Sequence, residues 1–100
     1  MLKPIKWSSL AENDFAYLLE YLETKWNKKV CQDFIENLDY CVDKIQNNPE
    51  IFPLINLELN IRKCVVTKHN SIFYRETNVR IEILRSYDTR QNPDNLTFLT

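Results

Sequence analysis

One hundred residues with 44% apolar content and a net charge of −1 describe one domain over residues 1–100, able to bury a single core without disulfide staples. The chain has no glycine, which excludes Gly-rich phosphate loops and dinucleotide fingerprints, and a pI near 5.8 argues against a general nucleic-acid coat protein. No apolar run approaches the roughly 20 residues of a membrane span, and no signal peptide is recognisable, so a cytoplasmic protein with no membrane partner is expected.

Pro4 to Trp7 reads as a short edge strand ahead of a helix. Ser9-Leu10-Ala11-Glu12 matches a capping box, with Ser9 as the predicted N-cap. Ala11, Phe15, Leu18, Leu19, Leu22 and Trp26 then recur at helical spacing, with Trp26 and Trp7 expected at the edge of the core. Asn27 interrupts. Val30, Phe34, Leu38, Cys41, Val42 and Ile45 form the apolar stripe of a second helix, which Asn47-Asn48-Pro49 stops. The two helices make an antiparallel hairpin with one apolar face. Residues 49–60 read as a connector that Ile51, Phe52, Leu54 and Ile55 plug onto the core.

Three β-rich runs follow: Ile61 to Lys68, Ser71 to Glu76 and Val79 to Asp88, with turns expected at His69-Asn70 and Thr77-Asn78. Without glycine, left-handed turn positions fall to asparagine, with Asn47-Asn48, Asn60, Asn70 and Asn78 as candidates. Strict alternation puts Val79, Ile81, Ile83, Arg85 and Tyr87 on one face of the last strand, with Leu84, Ser86 and Asp88 on the other. The expected fold is therefore α+β: an N-terminal strand and an antiparallel helical hairpin packed on a small antiparallel β-sheet. Charge divides along the chain. Residues 1–59 hold six Lys against ten Asp/Glu, whereas Arg62, Lys63, Lys68, Arg75, Arg80, Arg85 and Arg90 outnumber the acids of residues 60–100. A basic sheet surface that meets something anionic follows. Cys31, Cys41 and Cys64 are too widely spaced for a zinc pattern and read as reduced, semi-buried hydrophobes. No metal and no cofactor are expected.

Several phrases stand in this order: Trp7-Ser8-x-x-Ala11, Asn48-Pro49, Ile61-Arg62-Lys63, His69-Asn70-x-Ile72-Phe73-Tyr74-Arg75 and Ile83-Leu84-Arg85-x-x-Asp88-x-Arg90-x-x-Pro93. In that order and spacing the chain resembles a RelE/ParE-superfamily toxin of a bacterial type II toxin–antitoxin module. The resemblance implies a growth inhibitor neutralised by a cognate antitoxin, as a homodimer or a toxin–antitoxin hetero-oligomer. Its target is either DNA gyrase, as for ParE-like members, or mRNA on the ribosome, as for RelE-like endoribonucleases.

RelE-type chemistry needs a group to accept the 2′ proton, positive charge on the phosphate and a proton for the leaving oxygen. Arg62 and Arg85 match the family's strand arginines by position, and Tyr87 is the phenol nearest the end of the last strand. Lys63, Lys68, His69, Arg75 and Arg90 are candidates for contacting target or RNA. Each has a plainer reading: Arg62 and Arg85 as ion-pair partners of Asp88 or Glu76, Tyr87 as a strand-end aromatic, His69 as a solvated turn residue, and Arg90 as a turn-stabilising partner of Asp88. The segment after Pro93 lacks Tyr, His, Lys and Arg. The sequence therefore leans to the ParE-like, non-catalytic reading. A RelE-like nuclease and an inert relative that retains only antitoxin binding are the alternatives.

Overall fold

The first helix starts where one serine serves two elements. In the computed structural model, which describes residues 2–89, β1 (Ile5–Trp7) leads into α1 (Ser9–Lys25). Ser8, not Ser9, is the N-cap. Its Oγ accepts the Ala11 N–H at 3.0 Å and donates to the Leu84 carbonyl at 2.7 Å. The cap therefore also docks the helix onto the last strand. With Ala11 at the third position, the glutamate half of the capping box is absent. Ala11 is fully buried where α1 meets that strand, a position with room for only a methyl group.

Asn27 caps α2 (Lys28–Asn47) by accepting the Val30 N–H at 3.0 Å. At the far end Asn48 has φ −150° and ψ 87°, so the expected left-handed cap is not used there. Asn60 is the described residue that takes positive φ, at 57°, and it turns the chain into β3 (Ile61–Val65).

The connector holds a strand that the sequence does not advertise. Leu54–Asn56 forms β2 and pairs antiparallel with β3, Leu54 opposite Arg62. Of the expected plugs, Phe52 packs on the core, while Ile51, Leu54 and Ile55 are exposed. β4 (Asn70–Glu76) and β5 (Ile81–Asp88) complete a five-stranded sheet of order β1-β5-β4-β3-β2. Asn70 thus opens β4 instead of making the turn, and Val79 lies in the exposed 77–80 turn. The Thr77 Oγ1 accepts the Arg80 N–H there at 3.1 Å. The expected α+β architecture is present. Its sheet is mixed, because β1 adds parallel to β5, Ile5 opposite Ile81.

The main core lies between the helices and one face of the sheet. Leu18, Leu22, Phe34, Leu38 and Ile45 meet Cys64, Ile72, Tyr74, Ile81 and Ile83. No described helix is long and apolar enough to cross a membrane. Burial, and then the neighbouring Cys41, push the Cys64 thiol up to about 12 from an ordinary 9.0. Burial likewise raises the Tyr74 phenol to about 12 from 10.0. Both groups stay neutral in the fold but ionise earlier once unfolded. Their contribution is therefore complete below about pH 9 and is lost as pH rises toward about 12. Urea midpoints should fall between neutral pH and about pH 10.5, and Cys64→Val should flatten that slope. A midpoint that does not move would contradict this account.

Candidate functional site

The chemistry-bearing residues are placed by one irregularity in the central ladder. Phe73 pairs with Arg85, but Tyr74 pairs with Ile83, which leaves Leu84 as an extra residue in β5. The bulge reverses the alternation. Ile81 and Ile83 face the helices, as expected. Beyond Leu84, Ser86 and Asp88 turn inward opposite Ile72 and Asn70, both nearly fully buried. Arg85 and Tyr87 join the other face, opposite Phe73 and Ser71. The single face expected for Val79, Ile81, Ile83, Arg85 and Tyr87 is therefore split. On the side away from the helices, Ile61, Phe73 and Leu84 form a second small cluster with Tyr87 packed against it.

Lys63, Phe73 and Arg85 form one cross-strand row on this outer face, since Lys63 pairs with Phe73 and Phe73 with Arg85. Arg62 does not share it. It pairs with Tyr74 on the inner side, and its Nη1 donates to the carbonyls of Phe52 at 2.7 Å and Glu50 at 3.2 Å. Lys68 and His69 sit in the β3–β4 turn, where the His69 carbonyl accepts the Thr89 N–H at 2.8 Å. Arg75 donates from Nε to Glu82 at 2.8 Å, and Arg80 grips the other oxygen of that carboxylate at 2.9 Å. Arg90 lies outside the described residues. The structure thus brings Lys63, Arg85 and Tyr87 to one face and sets Arg62 on the opposite one.

Two carboxylates tune this surface. Hydrogen bonds from Arg75 and then Arg80 hold Glu82 below the usual carboxylate range. Arg85 donates from Nε to the Asp14 Oδ2 at 2.7 Å and from Nη2 to Oδ1 at 3.0 Å, which pushes its guanidinium further toward the charged form. The same Oδ2 accepts the Ser86 N–H at 3.1 Å. Asp14 therefore closes the edge of β5 where β1 no longer covers it. Asp14 takes the part that the sequence offered to Asp88 or Glu76. Asp14 carried one overlooked signal. It falls three residues after Ala11 and four before Leu18, on the margin of the buried stripe, where a carboxylate needs a dedicated partner.

A family model described as "ParE toxin of type II toxin-antitoxin system, parDE" matches residues 5–93. No curated protein matches the sequence. Among solved structures, the chain superposes on the chromosomal ParDE toxin–antitoxin system from P. aeruginosa with a TM-score of 0.72 at 15% identity, over 86% of this chain and 95% of that one. The YoeB/ParE toxin from Agrobacterium tumefaciens gives 0.62 at 12% identity, over 85% and 97%. The E. coli DinJ-YafQ toxin-antitoxin complex gives 0.60 at 14%, over 90% and 96%. At these identities the structural likeness establishes a shared fold.

Proposed function

The chain belongs to the ParE toxin family of type II toxin–antitoxin systems, and from that membership we propose that it arrests growth in the cytoplasm by binding DNA gyrase, without cleaving RNA. The family match over residues 5–93 carries this reading. The local geometry supports it. Arg62 is committed to connector carbonyls and Arg85 to a carboxylate, so the positive charge of Arg85 is balanced locally and does not gather with Arg62 around one phosphate position. A cognate antitoxin is the proposed partner, and its contact with the basic outer face is favoured by charge.

The test is a pair of assays on the purified protein. Gyrase supercoiling of a relaxed plasmid should be inhibited, and should remain inhibited in Tyr87→Phe. Primer extension on an mRNA in a purified translation system should show an intact message. Cuts in the ribosomal A-site codon would overturn the proposal in favour of the nuclease reading, for which Lys63, Arg85 and Tyr87 on one face would be the reacting surface.

A further inference from the structure

The sheet ends on two unlike edges. β1 presents Lys6, exposed at the centre of its three residues, and a lysine there blunts an edge against strands from other chains. β2 has no such guard. Residues 51–57 carry no charge, and Ile51, Leu54, Ile55, Leu57 and Leu59 are all exposed, Leu57 to 83%. Five large apolar side chains within nine residues form a patch, unlike the single exposed apolar residues that are ordinary on a monomer. Trp26, which the sequence placed at the core edge, is exposed as well, but it belongs to the cap of α1 and not to this strip.

The backbone of this edge is open too. β2 is last in the order β1-β5-β4-β3-β2, and no described strand pairs with its outer side. Pro53 does not blunt it. Its carbonyl accepts the Lys63 N–H at 3.1 Å and so points toward β3, and the N–H that proline lacks would point the same way. Alternation then turns the N–H and C=O of Leu54 outward. Leu54 and Ile55 are consecutive in the strand, so they project to opposite faces, and both are exposed. A partner laid on one face would cover one of them and miss the other. A strand added edge to edge covers both.

We propose that β2 is a self-association edge, where two copies of this chain pair antiparallel, β2 to β2, about a two-fold axis and join their sheets into one. Residues 51–57 offer no charge with which to select an acidic or basic partner. Their complement is another short, neutral, apolar strand, and the chain itself supplies one. A two-fold sets the same patch against itself. The nearest acid, Glu58, lies in the turn beyond β2, and antiparallel pairing carries the two copies of it to opposite ends of the contact. Lys6 on the other edge disfavours β1-to-β2 addition, so association closes at two copies and does not run on into a filament. This assignment stands apart from the identity of the toxin's target, because edge pairing covers neither face of the sheet.

The test is sedimentation velocity of the purified full chain from about 1 μM to about 200 μM. The mass should rise from 12.0 kDa toward twice that value. The dissociation constant should be on the order of 10 μM, since the contact is small. Ile55→Lys and Leu57→Lys, both at exposed positions that leave the core untouched, should each weaken association by about tenfold or more. Val79→Lys, at an exposed apolar position in the 77–80 turn, should leave it unchanged. Association that survives both strip lysines, that Val79→Lys weakens equally, or that grows past two copies would overturn the proposal. A mass of 12.0 kDa at every concentration would overturn it as well, and would leave the edge to a strand from a different protein.

Discussion

Asp14→Ala should destabilise the protein by about 3 kcal/mol, read as a lower urea midpoint at constant slope. The pair it breaks is bidentate, with Nε and Nη2 of Arg85 at 2.7 and 3.0 Å from the two carboxylate oxygens. The side chains are only 13% and 17% exposed, so neither charge is rehydrated when the other is removed. The Ser86 N–H loses its acceptor in the same step. Asp14→Asn keeps one acceptor and should fall between. A double-mutant cycle with Arg85→Ala should return a coupling of about 2 kcal/mol. A loss under about 1 kcal/mol for Asp14→Ala would make the pair no better than an exposed one. The result also governs how toxicity data are read. If Asp14→Ala and Arg85→Ala abolish growth arrest equally, Arg85 acts by closing the β5 edge and not by meeting a phosphate.

The second large effect lies on the neighbouring strand. Tyr74→Ala should cost about 4 kcal/mol, and Tyr74→Phe about 1 kcal/mol. Tyr74 is fully buried, its ring meets Phe52 edge-on at a centroid distance of 6.5 Å, and its hydroxyl donates to the Pro49 carbonyl at 2.8 Å. The phenylalanine variant keeps the packing and strands one carbonyl. The alanine variant also opens a cavity beside Cys64 and Ile72. Arg62, the cross-strand neighbour of Tyr74, fastens the same connector through the Phe52 and Glu50 carbonyls, so Arg62→Ala and Tyr74→Phe should be non-additive. Additive urea midpoints would mean that the two anchors hold the connector independently.

What the sequence made legible was set by periodicity. The stripes from Ala11 to Leu22 and from Phe34 to Ile45 announce two helices, since each buries one face against a sheet. The alternation through Ile72, Tyr74, Ile81 and Ile83 announces the central strands. Strand β2 was hidden because Leu54 and Ile55 are both exposed and leave no period to read. The bulge at Leu84 was hidden for another reason. Register belongs to a pair of strands, and a single extra residue moves every later side chain to the opposite face. That slip separated Arg85 and Tyr87 from Ile81 and Ile83, and it buried Ser86 and Asp88. Family phrases located Arg62 and Arg85 along the chain. They could not say that one clasps a connector and the other a carboxylate, because the first contact is to backbone carbonyls, which carry no residue signature, and the second partner lies 71 residues away.

The pairing of β1 with β5 also sets the order of events during synthesis. The N-cap of α1 bonds to a strand 76 residues downstream, and Asp14 reaches an amide 72 residues away. Local helix formation is fast, but contacts this distant must await loop closure and slow the search for the native state. On a translating ribosome the helical hairpin emerges long before the strand it leans on. Until β5 follows, Ala11, Leu18 and Leu22 have only a partial sheet to cover them. Completion of the fold is therefore tied to the arrival of β5.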